Sequence, residues 1–349
     1  LLDESTTSEQ EAGIVVHLAR AGRFEQAVRH FDSHRDQHIA APNSWRRAVE
    51  ALVDEIPTPA LRLDLATLER RSGQLSTKTL TSLEELIQSP EPGDDLTIRA
   101  RAELGACQMR LGRVNEAIES LRIVVTDAQS PELIWKTSNR LARALTGAGR
   151  YDEATKVATE ALVDCEAVLS KIDLLEALGV VLGLSGHSRK AKTRLDEAAE
   201  LLENVDDPRR LVRALGSRAL IAYNLGDLKA ALVDHRASFE LAEEKGLTDQ
   251  IATAALNFGT VCHQGGDWGD ALQAYERGLR ISAALGQRST EALLRFNLAK
   301  LRADLGSDER ALRLADRCES SARAAGLEIL VAAADTIRAE VAFTRGDPE

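Results

Sequence analysis

Seven glycines stand 20 residues apart: Gly226, Gly246, Gly266, Gly286, Gly306, Gly326 and Gly346. Upstream, Gly112, Gly149 and Gly186 continue every second member of that series at a spacing of 37. A fixed period of this length requires one supersecondary unit stacked many times, because a single unit cannot bury its own apolar face. A single closed core is therefore not expected.

The stretches between glycines read as helix. LKAALVDHRASFELAEEK and DERALRLADRCESSARAA place apolar residues three and four apart with charges between them, and contain no proline. A glycine after each stretch fits a left-handed cap, where a side chain would clash. About 17 helical residues and a turn fill each half-period, a rod of roughly 25 Å. Two such rods joined by a short turn make an antiparallel hairpin.

Small residues recur at fixed offsets from the turn. Five after the first-turn glycine stand Ala117, Ala154, Ala191, Ala231, Ala271 and Ala311; seven before it stand Gly105, Ala142, Gly179, Ala219, Gly259, Ala299 and Ala339. Small side chains at one place on each helix let two axes approach closely. The spacing therefore predicts that Ala271 lets the second helix lie on Gly259, and that Tyr275 packs against the next hairpin.

The stretches NFGTVCHQGGDWGDALQAYERGL, NRLARALTGAGRYDEATKVATEAL and YNLGDLKAALVDH resemble the tetratricopeptide repeat (TPR) family. The 40-residue period is similar to the longer-helix variants of kinesin light chains, Pins-type scaffolds and MalT-like bacterial regulators. The resemblance implies an all-α fold, a right-handed α-solenoid of antiparallel helix hairpins. Residues 94–349 read as the regular array with its last unit truncated. Residues 1–93 read as divergent helical repeats: GRFEQAVRHF keeps the turn rule, GQLSTKTLTSLEEL has Lys78 where alanine belongs, and the long gap from Gly22 to Gly73 calls for an extra helix over SWRRAVEALVDE. A separate helical domain is the alternative. EIPTPA and SPEPGDD break helices. The absent starting Met and the GDPE end suggest a piece of a longer protein.

In this family the ligand lies on the concave face lined by the first helix of each hairpin, at residues thirteen, ten, nine and six before the turn glycine. These are Arg99, Ala102, Glu103 and Ala106, then Lys136, Asn139, Arg140 and Arg143, then Asp173, Glu176, Ala177 and Val180. Arg213, Gly216, Ser217 and Leu220 follow, with Thr253, Leu256, Asn257 and Thr260, and Leu293, Phe296, Asn297 and Lys300. The partner-binding candidates are Lys136, Asn139, Arg140 and Arg143, a basic patch suited to carboxylates, with Arg213, Lys300 and the equivalent amides Asn257 and Asn297, which both donate and accept. Each is set against a solvated face or a helix-bridging amide. The family's chaperone-tail clamp needs a basic residue four before the asparagine; Thr253 and Leu293 stand there, against that ligand.

His30, His34 and His38 fall on one helix face at chelating spacing, with His17 or Asp32 nearby. Metal sites draw ligands from several elements, so these histidines are read as a solvated or packing face and no metal or cofactor is assigned. Cys107, Cys165, Cys262 and Cys318 lack C-x-x-C spacing and read as reduced core residues. Trp45, Trp135 and Trp268 read as packing residues, and Asp94–Asp95 and Asp206–Asp207 as openers of helices. No nucleotide-binding, zinc-protease or serine-hydrolase motif occurs, and no catalytic residue is assigned. A net charge of −11 discourages nucleic acid and anionic membrane, and no apolar run reaches the ~18 residues of a membrane helix. The reading is a cytoplasmic, noncatalytic module that binds a protein or peptide, acidic groups included, as scaffold or sensor arm of a larger bacterial signalling protein. Self-association or autoinhibition, and a metal or enzymatic role for the His-rich first hairpin, are the alternatives.

Overall fold

A computed structural model describes residues 2–35, 38, 42–88 and 94–345, with side chains from Thr7 onward and, in the sixth helix, from Asp95. The described residues form eighteen helices and no strand, an all-α solenoid of antiparallel hairpins. Gly346 and the GDPE end lie outside them, as do most of SPEPGDD and the Asp94 side chain. The chain divides into two compact units, Leu1–Ala177 and Leu178–Glu349.

Unit 1 contains α1 (Leu2–Arg20), α2 (Phe24–Ser33), α3 (Pro42–Val53), α4 (Pro59–Ser72), α5 (Thr77–Gln88), α6 (Asp94–Arg110), α7 (Val114–Asp127), α8 (Pro131–Gly147) and α9 (Tyr151–Val163). It ends within α10 (Val168–Leu184). The extra helix expected between Gly22 and Gly73 is α3, which packs on α1 and α4. Its Trp45 is fully buried beside Phe31, Val15 and Leu52, and the indole Nε1 donates to Ser8 Oγ at 2.8 Å. A second apolar cluster, with Leu83, Leu86 and Leu104, joins α4, α5 and α6.

Unit 2 continues from α10 through α11 (Ser188–Leu202), α12 (Pro208–Asn224), α13 (Leu228–Glu244), α14 (Thr248–Gln264), α15 (Trp268–Ala284), α16 (Arg288–Asp304), α17 (Asp308–Ala325) and α18 (Glu328–Arg345). From α12 onward each helix has 17 or 18 residues, the length the period predicts. Asp207 opens α12 as expected, its carboxylate accepting from the Arg210 backbone N–H at 3.0 Å.

Every described turn glycine of the series has positive φ, from Gly112 at 75° to Gly326 at 70°. At Gly266 the Asp267 N–H donates to the Cys262 carbonyl at 2.8 Å and the Gly266 N–H to His263 at 3.2 Å. This double bond pattern satisfies the helix's last carbonyls and reverses the chain.

The small positions work differently from the sequence reading. A Cβ on Gly259 would meet the Tyr275 ring at 2.6 Å, so Tyr275 itself, rather than Ala271, fills the space over Gly259. Tyr275 thus packs within its own hairpin, and also joins the cluster containing Leu294 and Leu298 of α16. Gly105 faces Leu121 and Gly179 faces Leu195 at the same offset. Where the first position is alanine, the partner by register is small or polar: Ala158 with Ala142, His235 with Ala219, Ala315 with Ala299. Hole and knob are matched in size, hairpin by hairpin.

Candidate functional site

The wall positions belong to the first helices of successive hairpins: α6, α8 and α10 in unit 1, and α12, α14 and α16 in unit 2. In unit 1 the α6 and α10 positions are mostly covered: Ala102, Glu103, Ala106, Glu176 and Ala177 are buried. Here the structure corrects the expectation that they line an open surface. The arginines of α8 reach over them. Arg140 Nη1 donates to the Ala102 carbonyl at 3.4 Å, and Arg143 Nη2 lies 3.3 Å from the Glu176 carboxylate. Arg143 Nε also donates to Asn139 Oδ1 at 3.2 Å, and exposed Lys136 pairs with Glu132 at 2.5 Å.

One carboxylate in this wall faces three guanidinium groups. Glu103 accepts from Arg70 of α4 through Nε, with Arg70 Nη2 3.3 Å from the second oxygen. Burial works against the Arg70 charge, but Glu103 more than offsets it and raises the Arg70 pKa. Arg71 and Arg140 share the same field without such a bond. Burial lowers the pKa of Arg71, and the Arg70 charge adds to the effect. Burial likewise lowers that of Arg140, with further lowering from Arg70 and Arg71. Guanidinium groups stay protonated at neutral pH regardless. The Arg70–Glu103 pair is neutral, so Arg71 and Arg140 leave a surplus of positive charge at a half-covered wall. Sequence reasoning missed Arg70 and Arg71 because they lie on α4, in the part of the chain where the repeat register is lost.

Unit 2's wall is built otherwise. Two ion pairs join its first helices near their ends: Arg209 with Asp249 at 2.7 Å, and His263 with Asp304 at 2.7 Å. Mid-wall stand amides, a hydroxyl and exposed apolar side chains, among them Leu220 and Leu293. Asn297 Nδ2 donates to Thr260 Oγ1 at 3.2 Å, and the same oxygen accepts from the Tyr275 hydroxyl at 3.3 Å. Burial pushes the Tyr275 phenol up to about 12, so it stays a donor. Asn257 has no equivalent bond, because the residue 40 positions before Thr260 is Leu220, which cannot accept. Arg213 is half-buried and engaged with a neighbour; Lys300 is exposed.

The remaining candidates separate. His30 and His34 converge with Glu11 of α1, whereas His38 is buried against Phe31 and Trp45 with ring centroids 4.4 and 4.5 Å apart. All four cysteines are free and buried. Burial pushes the Cys107 and Cys262 thiols up to about 12, far from nucleophilic character. Trp45 is core and Trp135 half-buried, but Trp268 is exposed, against the packing expectation. Among the described residues, no helix is long and apolar enough to cross a membrane.

The family model of the tetratricopeptide repeat matches residues 210–284, which span α12 to α15. Over those residues the chain carries tetratricopeptide repeats, and turn glycines of the same positive φ recur from Gly112 to Gly326. No curated protein sequence matches it. Among solved structures it is similar to a Rap protein complexed with competence and sporulation factor, at 15% identity and a TM-score of 0.60, covering 97% of this chain and 99% of that one. It is also similar to a signal transduction ATPase with numerous domains from Pyrococcus horikoshii, which carries a tetratricopeptide repeat sensor. That match has 14% identity and a TM-score of 0.66, and covers 93% of this chain but half of the other. Aspartyl phosphate phosphatase F from Bacillus subtilis matches at 13% identity and a TM-score of 0.54, over 81% and 79% of the two chains. At such identities these likenesses speak to the fold alone.

Proposed function

We propose that this chain is a noncatalytic interaction module that seats an acidic segment of a protein or peptide on the first-helix wall of unit 1. The observation that carries the reading is the surplus charge of Arg71 and Arg140 beside a Glu103 already held by Arg70. A carboxylate there would make charge-assisted hydrogen bonds, each worth ~1.5–3 kcal/mol. Lys136, Asn139 and Arg143 flank that seat. Asn257, with Arg213, Asn297 and Lys300 around it, offers unit 2 a backbone-gripping amide. The repeat fold supports this role, since stacked hairpins present extended surfaces for other chains. A sensor or scaffold arm in a larger bacterial signalling protein is the setting we favour, in line with the sensor role named for the Pyrococcus horikoshii neighbour.

The test is fluorescence anisotropy with a labelled Asp/Glu-rich peptide and a neutral peptide of equal length. The acidic peptide should bind more tightly, and Arg71→Glu with Arg140→Glu should weaken it at least about tenfold. Equal affinity for both peptides, or indifference to the double variant, would sink the reading. Light scattering over a dilution series checks self-association.

A further inference from the structure

The first hairpin brings together three ligand atoms that the wall does not use. His30 Nε2 lies 2.8 Å from Glu11 Oε2, and His34 Nε2 lies 3.6 Å from the same oxygen. All three donor atoms fall within 4.8 Å of one another. His30 lies in the last turn of α2 and His34 caps its C-terminal end, with ring centroids 4.3 Å apart, while Glu11 comes from α1. Two elements therefore supply the set, which answers the objection that a single helix face rarely makes a metal site. The side chains are each about a quarter exposed, at 24%, 23% and 25% for His30, His34 and Glu11. They are fixed by the fold on one side and open to water on the other.

The hydrogen bonding of His34 also suits a ligand. Its Nδ1 lies 2.8 Å from the His30 carbonyl oxygen. A carbonyl only accepts, so Nδ1 carries the proton and Nε2 keeps its lone pair, aimed at Glu11. Ser33 Oγ donates to that same carbonyl at 2.9 Å and lies 3.0 Å from Nδ1. The ring stacks 6.2 Å from Trp45, which limits its swing. Arg35, which follows His34, is committed to Asp32 and Asp64 at 2.8 Å each.

The geometry points to a three-ligand site for a divalent transition ion of the zinc class at Glu11, His30 and His34, completed by water. Two imidazole nitrogens and one carboxylate suit zinc, cobalt or nickel rather than calcium or magnesium, which prefer all-oxygen sets. Metal–ligand bonds of about 2.0–2.2 Å place tetrahedral donors roughly 3.3–3.6 Å apart, within the spread observed. On binding, the ion takes the place of the proton that His30 Nε2 shares with Glu11. That proton moves to Nδ1 or leaves to solvent. The ion would tie α1 to the end of α2, in addition to the apolar packing of Ala12 and Val15 with Ala27 and Phe31. The site is independent of the acidic-segment reading.

The experiment uses the full chain without a histidine tag. Titration with Co2+ should give the visible absorption of a four- or five-coordinate ion at one equivalent, and Zn2+ should displace it. Zn2+ should also raise the thermal midpoint. His30→Ala, His34→Ala and Glu11→Ala should each weaken binding at least about tenfold, whereas His38→Ala should leave the stoichiometry and spectrum unchanged. Circular dichroism checks that each variant folds, and His30→Gln and Glu11→Gln serve where alanine disrupts the hairpin. Absence of a one-equivalent complex at tens of micromolar metal, or binding that survives loss of His30, His34 or Glu11, overturns the proposal.

Discussion

The walls of the two units use one hairpin geometry for opposite chemistry. In unit 1 charged side chains tie neighbouring helices, Arg70 in the last turn of α4 to Glu103 at the middle of α6, and Arg143 of α8 to Glu176 at the middle of α10. In unit 2 two charged ties lie at the helix ends, Arg209 with Asp249 and His263 with Asp304, while Asn297 and Thr260 bridge α16 to α14 nearer the middle. The contrast separates what the repeat demands from what it leaves free. Turn glycines and the matched hole and knob are needed in both units, because they set chain reversal and axis distance. The wall positions set neither and can diverge. The charged wall is also the more costly to damage. A buried carboxylate among three guanidinium groups cannot be removed without leaving uncompensated charge, whereas a wall amide can lose its partner to water.

The largest expected effect follows directly. Glu103→Ala would remove the carboxylate that Arg70, Arg71 and Arg140 share and leave their like charges together. Removing one partner of a buried ion pair costs roughly 3–5 kcal/mol. Urea melts of the purified variant should show a loss of that order; a loss below about 1 kcal/mol would mean that the wall is well solvated and the contrast between units overstated.

Acid tests unit 2 from another side. His235, buried at the knob position of its hairpin, has its pKa pushed down to about 4 by burial, with Asp234 opposing the shift. The unfolded chain binds this proton near the ordinary value of 6.5, and the folded chain only near 4. Between these limits the unfolded state holds more protons, so stability falls as pH drops through that window and levels off below it. The loss attributable to His235 is at most about 3 kcal/mol. Urea melts between pH 7 and pH 4 should show wild type losing more stability than His235→Leu; parallel curves would place the acid sensitivity elsewhere.

Much of this molecule was legible in its sequence, and the boundary has a physical reason. Turn glycines and small positions answer to local sterics, which composition at a fixed spacing reveals directly. Spacing shows that a hole exists at Gly259 and that Tyr275 reaches the next hairpin, but not that Tyr275 rather than Ala271 fills the hole; the size match of Leu121 with Gly105 and Leu195 with Gly179 is the available signal. Register places Lys136, Arg140 and Arg143 on one face, but it gives Glu103 and Glu176 as open lining, since register does not say which long side chain folds over its neighbour. Arg70 and Arg71 carried no periodic signal at all. Glu11 lies 19 residues from His30, and only the packing of α1 on α2 brings them together.

The smallest effect bears on the paired amides, where the repeat predicts equivalence and the structure shows a difference. Asn297 bridges α16 to α14 through Thr260, whereas Asn257 meets Leu220 at the equivalent place and makes no hydrogen bond with a described residue. Asn297→Ala should therefore cost about 1 kcal/mol of stability, the net value of one part-buried hydrogen bond. Asn257→Ala should leave stability within about 0.5 kcal/mol of wild type. Replacing Leu220 by Thr should give Asn257 the acceptor that Thr260 gives Asn297. In that background Asn257→Ala should become as costly as Asn297→Ala, a coupling a double-mutant cycle can resolve. Equal costs for the two asparagines in the wild-type background would show that the wall of unit 2 is uniform, and would remove Asn257 as the amide left open to a partner.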